Sequence, residues 1–245
     1  MLVSDLDGTL LGDERALDQF RRDRESAHRP FRLVYSSGRF IESVRDSIRE
    51  HALPEPDAII CGVGTAIYDD RGRLPMSDWP QLKGGWDPVV VRKVSEAFSE
   101  LRIQPEQFLS THKISYYGEN LDQEYLNAFM EELMRSGVSA SIVYSSNRDV
   151  DVLPAGIDKG AAARFLATQW NVDTTRIVVA GDSGNDLSMF QQGYCGIIVA
   201  NAQPELLQLS ASTVYHAGGA YAAGVCEGLK YWRQQWSARK LQAVD

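Results

Sequence analysis

Positive charge is scarce in this sequence. Its 245 residues carry 25 Lys and Arg against 33 Asp and Glu, giving a net charge of −8 and a pI near 5.1. Nucleic acids and anionic membrane surfaces are held by clustered Lys and Arg. No long basic run occurs, so neither is expected as a partner. A small anion remains possible if a few cations are focused in one cleft. Long apolar runs are missing too: none approaches the ~20 residues needed to span a bilayer. The N-terminus lacks the basic segment and apolar stretch of a secretory signal. Cysteine is sparse, and Cys61, Cys195 and Cys226 lie far apart without metal-ligand spacing. That pattern reads as thiols in a reducing compartment. His28, His51, His112 and His216 show no metal pairing either. These absences together predict a cytoplasmic protein.

What is present is a patterned chain with 44% hydrophobic residues, enough for one large core or two modest ones. Strand-like and helix-like segments alternate through the first third: "LVSDL", "RALDQFRRDRES", "FRLVYSS", "FIESVRDSIREHAL" and "DAIICGVGTAIY". Alternation of this kind implies a parallel sheet with helices on both faces. The grammar changes at "SDWPQLKGGWDP", rich in Pro, Gly and Trp, which reads as a linker. A helix, a strand and an amphipathic helix follow, the last with Tyr125, Leu126, Phe129, Met130, Leu133 and Met134 on one stripe. Two alternating strands then flank Ser146-Asn147, a hairpin signal. From "DKGAAARFLATQW" onward the strand–helix alternation resumes. The expected fold class is α/β: a doubly wound, Rossmann-like parallel sheet core, residues 1–78 and 155–245, interrupted by an inserted α+β domain, residues 79–154.

Four stretches carry chemistry. Asp5 and Asp7 of "SDLDGT" sit at the carboxyl end of the first strand, where open α/β sheets bind ligands. A two-residue offset on extended chain turns both carboxylates to one side. Two such charges are tolerable beside a cation, and can then divide the roles of nucleophile and general acid/base. By itself the stretch also reads as a turn or a capped helix start. Ser36-Ser37-Gly38-Arg39 follows the second strand, and a hydroxyl with backbone N–H groups at a helix start suits a phosphate, or simply caps the helix. Lys159 in "DKG" opens a helix, where a positive charge is unfavourable unless it meets an anion. "GDSGND" supplies Asp182, Asn185 and Asp186, hard oxygen ligands suited to Mg²⁺ beside a phosphate.

In this order the four stretches resemble the motifs of the haloacid dehalogenase superfamily of phosphatases: DxDGT, a Ser/Thr after the second strand, a lysine, and GDxxND. The chain between Asp5 and Ser37 is too short for an inserted domain, whereas that between Ser37 and Lys159 is long enough. This is similar to the Cof-like branch of sugar-phosphate phosphatases. "HKISYY", "VYSSNRDVDVLP", "DKG", "GDSGND" and "NAQPEL" look like the sucrose-phosphate phosphatase family. The resemblance implies that Asp5 attacks phosphorus and Asp7 shuttles the proton. It implies that Ser37 and Lys159 hold the phosphoryl group, and that Mg²⁺ is bound by Asp5, the Asp7 carbonyl, Asp182 and Asp186, with Asn185 in support. The inserted domain becomes a cap over the sugar. For sugar contacts the candidates are Lys113, Asp149 and Asp151 in the cap, with Gly64, Thr65, Asn185 and Asn201 on the core side.

One position departs from the family pattern. Sucrose-phosphate phosphatases tend to carry an acidic residue where "GVGTAIY" has Ala66, and the similar mannosylfructose-phosphate phosphatases share the GVGT turn. A fructosyl disaccharide phosphate is the expected substrate, sucrose 6-phosphate first, with mannosylfructose phosphate as the alternative. A further Cof-like sugar phosphate is an alternative. The glycosyltransferase that makes the ester is a candidate partner, and a non-catalytic sugar-phosphate-binding module docked on it is the non-enzyme alternative.

Overall fold

A computed structural model describes residues 1–26 and 31–242; His28 lies outside them. Strands β1 (Leu2–Ser4), β2 (Leu33–Ser36), β3 (Ala58–Cys61), β4 (Ala66–Asp69) and β5 (Leu74–Pro75) come first. Then follow β6 (Arg102–Ile103), β7 (Ile114–Tyr117), β8 (Ala140–Ser145) and β9 (Asp149–Pro154). Last are β10 (Val178–Gly181), β11 (Cys195–Ile198) and β12 (Val214–His216). The helices are α1 (Glu14–Glu25), α2 (Ile41–Glu50), α3 (Pro88–Ser95) and α4 (Gln123–Arg135). They continue with α5 (Lys159–Gln169), α6 (Leu187–Phe190), α7 (Pro204–Leu207) and α8 (Tyr221–Gln242).

Strands β1, β2, β3 and β10 are buried along their whole length, as unbroken apolar sequence requires when helices cover both faces of a sheet. They form the middle of an eight-stranded sheet ordered β12-β11-β10-β1-β2-β3-β4-β5. From β12 to β3 every pairing is parallel. β4 and β5 add antiparallel pairings, so the sheet is mixed at this edge. The physical reason is length: the single turn Gly62–Gly64 reverses the chain, and only a longer crossover can return a strand in parallel. Chain order reverses on either side of β1, so the crevice at the carboxyl ends of β1 and β10 is the topological switch point.

A second, four-stranded antiparallel sheet, β6-β7-β9-β8, packs against α3 and α4 around its own apolar cluster of Val91, Ile114, Phe129, Val150 and Val152. On α4, Leu126, Phe129 and Leu133 face that cluster, while Met134 lies one step beyond the stripe and is exposed. The β8–β9 hairpin turns at Ser146 and Asn147 with φ of 54° and 51°. Two consecutive left-handed residues match the right-handed twist of the paired strands. Among the described residues no helix is long and apolar enough to cross a membrane.

Candidate active site

The two central strands deliver carboxylates to one point. Asp5 follows β1 and Asp182 follows β10, and both are buried. Asp158 caps α5 by accepting from the Ala161 N–H, which places Lys159 at the first helical position, pointing under the crevice. Its ammonium is 0% exposed and donates to Asp5 Oδ1, Asp186 Oδ1 and Asn185 Oδ1, each at 2.7 Å. Burial alone would lower the lysine's pKa. The Asp186 and Asp5 charges outweigh it and hold the group above the ordinary lysine range, so it stays protonated. The Asp186 carboxylate has work on both oxygens, because Oδ2 accepts from the N–H groups of Asp182 (3.0 Å) and Ser183 (3.2 Å). Asp186 therefore shapes the loop and anchors the lysine.

Asp5, Asp182 and Asp186 each offer an oxygen within 4.8 Å of the others, and all three are buried. One ammonium against three carboxylates leaves excess negative charge. Burial, with the Asp186 charge, pushes Asp182 up to about 7. Burial also raises Asp5 well above the usual carboxylate range, against the pull of Lys159. Such a set of hard oxygens fits a divalent cation, which would supply the missing charge. Asp182 is aimed by the Thr9 hydroxyl, which donates to its Oδ1 at 2.8 Å. Gly8 is required here: its φ is +82°, and a Cβ would stand 2.5 Å from Asp182 Oδ2.

Asp7 lines the same cavity as Asp5 but has its own cation. Arg39 Nε donates to Asp7 Oδ2 at 2.7 Å, its Nη2 pairs with Oδ1, and its Nη1 reaches the Ser47 hydroxyl at 2.7 Å. Ser37, two residues before this arginine, is fully buried, and its hydroxyl accepts from the Arg39 N–H at 3.1 Å. Arg39 belongs to the "SSGR" stretch, whose hydroxyl and backbone N–H groups are the features expected to meet a phosphate. A lone arginine there carries no signal of which carboxylate it will meet.

The second sheet closes the cavity from the other side. The cavity measures about 580 Å³ and is lined by Asp5, Asp7, Arg39 and Asn185 of the first sheet's loops, and by Lys113, Asp149 and Asp151. Lys113 and Asp151 form a buried ion pair at 3.0 Å, and the Ser115 hydroxyl donates to Asp151 at 2.5 Å. Asp149 accepts from Gln104 Nε2 at 3.1 Å and pairs with Arg148 at 2.9 Å. The Lys113 ammonium stands 5.5 Å from the Phe40 ring, joining the two halves across the cavity. Gln104, Gln107, Phe108, Tyr117 and Arg148 also line it. They were not singled out from sequence, since isolated polar and aromatic residues look the same on a solvated strand.

Other expected residues serve the fold where the structure places them. Thr65 is buried and donates to the Gly62 carbonyl at 3.0 Å; the Gly64 carbonyl accepts from Trp79 Nε1 at 2.7 Å. Asn201 uses both ends of its amide, donating to the Gly8 carbonyl at 2.7 Å and accepting from the Tyr221 N–H at 2.8 Å. These three brace the loops around the cavity and do not line it.

Comparison with known proteins agrees with this geometry. Residues 1–233 match the family described as sucrose-6F-phosphate phosphohydrolase. The chain is 37% identical to a mannosylfructose-phosphate phosphatase from Agrobacterium fabrum, covering 95% of this chain and 96% of that protein. It is 31% identical to a probable sucrose-phosphatase from Arabidopsis thaliana, of which it spans only 59%. Among solved structures, the sucrose-phosphatase of Synechocystis sp. PCC6803, in complex with sucrose and phosphate, superposes with a TM-score of 0.89. That match has 31% identity and covers 95% of this chain and 97% of that one. The chain thus belongs to the sucrose-6F-phosphate phosphohydrolase family, phosphatases of the haloacid dehalogenase superfamily.

Proposed function

We propose that this sugar-phosphate phosphatase hydrolyses a fructosyl disaccharide phosphate in a Mg²⁺-dependent reaction, releasing the free disaccharide and phosphate. The observation that carries the reading is the 580 Å³ cavity itself. It joins a carboxylate pair beside a buried lysine to a sheet offering an ion pair and further polar groups. Its size falls within the roughly 300–1,000 Å³ common for small-molecule sites.

Asp5 attacks phosphorus as the bond to the sugar oxygen breaks, giving an aspartyl phosphate. Lys159 orients the attacking carboxylate. Asp7 gives its proton to the departing sugar oxygen, then takes one from the water that attacks the aspartyl phosphate, and phosphate leaves. Arg39 holds the Asp7 side chain over the cavity. Ser37 and Lys159 are proposed to hold the phosphoryl oxygens. Asp5, the Asp7 carbonyl and Asp182 would hold Mg²⁺, with Asp186 and Asn185 behind them, and the ion would neutralise charge on the transferring phosphoryl group. Residues 79–154 act as the cap, and Lys113, Asp149 and Asp151 grip sugar hydroxyls. A site built to hydrogen-bond hydroxyls rejects substrates lacking them.

Two disaccharides fit this reading. Sucrose 6-phosphate is supported by the solved sucrose-phosphatase, and mannosylfructose phosphate by the 37% identity over nearly the whole of the Agrobacterium enzyme. The glycosyltransferase that makes the ester is the proposed macromolecular partner. Phosphate release from both esters and from hexose monophosphates, with Mg²⁺ and with EDTA, tests the function. A fructosyl disaccharide phosphate should show the highest kcat/KM, and only with metal. Rates no better than for a generic aryl phosphate would refute the assignment.

A further inference from the structure

The segment after β11, Asn201-Ala202-Gln203-Pro204-Glu205, takes no part in the proposed reaction, yet it holds the loops that do. Asn201 donates to the Gly8 carbonyl beside Asp7, and the Gln203 N–H donates to the Asp182 carbonyl at 2.6 Å. Glu205 does something different. Its Oε1 accepts from the Gly184 N–H, between Asp182 and Asp186, and from the Ser146 N–H at the tip of the β8–β9 hairpin, both at 3.2 Å. One carboxylate oxygen therefore ties the core loop that carries the metal ligands to the turn of the second sheet.

The two backbones come together at this point. A Cβ on Gly184 would lie 2.4 Å from the Tyr144 carbonyl oxygen of β8, so any side chain there would wedge the halves apart. The turn continues into the cavity wall: Ser145, Ser146, Arg148 and Asp149 all line the cavity, and Asp151 lies two residues further along β9. Whatever fixes Ser146 thus fixes how β9 sits over Asp5 and Asp7. The core side of the bridge has independent anchors, namely the Gln203 N–H on Asp182 and the Asp186 carboxylate on the N–H groups of Asp182 and Ser183. The cap side depends more on Glu205.

We propose that Glu205 is a positioning residue that registers the cap over the reacting groups by holding the Ser146 and Gly184 N–H groups on one carboxylate oxygen. It touches neither phosphate nor sugar. A carboxylate suits the task, because hydrogen bonds to an ionised acceptor are about twice as strong as neutral ones. Glu205 matters when the substrate must be gripped from the cap, and little when the substrate is too small to reach it. This inference rests on the phosphatase reading above, and its test carries one readout that does not.

Glu205→Ala, Glu205→Gln and the wild type are compared on both disaccharide phosphates and on p-nitrophenyl phosphate, each with Mg²⁺. Loss of one charge-assisted tie predicts a fall of about ten- to a hundredfold in kcat/KM for the disaccharide phosphate in the alanine variant. Turnover of p-nitrophenyl phosphate should stay within about twofold of wild type. Glutamine keeps an acceptor oxygen and should recover most of the loss. Equal losses on large and small substrates, or no loss on the disaccharide, would overturn the proposal. Amide hydrogen exchange is measured in parallel on the full chain with Mg²⁺ and orthovanadate. The Ser146 turn should exchange faster in the alanine variant than in wild type or the glutamine variant, and unchanged exchange would overturn the proposal. If the wild type hydrolyses neither disaccharide phosphate, the substrate reading fails while the exchange data still decide the role of Glu205.

Discussion

Replacing Lys159 by methionine tests the electrostatic core of the site. The variant keeps the volume of the side chain and removes one ammonium, fully buried and bonded at 2.7 Å to Asp5, Asp186 and Asn185. Asp5, Asp182 and Asp186 would then crowd within 4.8 Å with no cation. Breaking a buried pair by deleting one partner costs about 3–5 kcal/mol. For a chain of this length that corresponds to a fall in Tm of about 6–20 °C. The carboxyls can relieve the strain by taking up protons, so the penalty should be larger at pH 8 than at pH 5. Saturating Mg²⁺ should restore part of it by returning positive charge. Thermal denaturation in EDTA and in Mg²⁺ at the two pH values reads all of this. A methionine variant that melts at or above wild type in EDTA at pH 8 would refute the account. In the Mg²⁺ form kcat should fall about a hundred- to a thousandfold, the usual cost of losing one charge-stabilising donor.

Further outcomes follow from the same geometry. Asp5→Asn should abolish phosphate release while the metal-free protein melts no lower than wild type, because a buried charge is removed; retained turnover would exclude Asp5 as nucleophile. In wild type without metal, Asp182 titrates near 7 instead of near 3.8, so the folded state binds more protons than the unfolded one between those pH values. Stability should therefore fall as pH rises through that window, by about 3 kcal/mol between pH 5 and pH 8, and urea titrations in EDTA at those two values measure it. Asp151→Ala leaves Lys113 buried without its partner and should cost about 3–5 kcal/mol, whereas Lys113→Met with Asp151→Leu should recover most of the stability. Neither variant should hydrolyse the disaccharide phosphate well, and denaturant midpoints with a phosphate-release assay separate the two effects.

The amino-acid sequence by itself determined the reaction class and the alternation of elements. Asp5, Asp7, Lys159, Asp182 and Asp186 occur at strand ends and helix starts, which suit an anion or metal site, and the order of their motifs, resembling the haloacid dehalogenase superfamily, carries the reaction class. Unbroken apolar strands such as "AIIC" and "VVAG" require burial on both faces, so the parallel core was legible as well. The antiparallel edge of β4 and β5 follows from the tight turn at Gly62–Gly64, a loop length that strand patterning does not weigh. Tertiary structure alone decided which charges meet. Arg39 on Asp7, Asp151 with Lys113, and Glu205 between Gly184 and Ser146 are pairings of residues far apart in the chain. An ion pair is a matter of a few ångströms, and sequence spacing holds no such distance once the partners lie on different loops. Asn201 makes the same point in reverse: an amide read as a sugar contact is consumed by Gly8 and Tyr221, because the closing helix begins beside it.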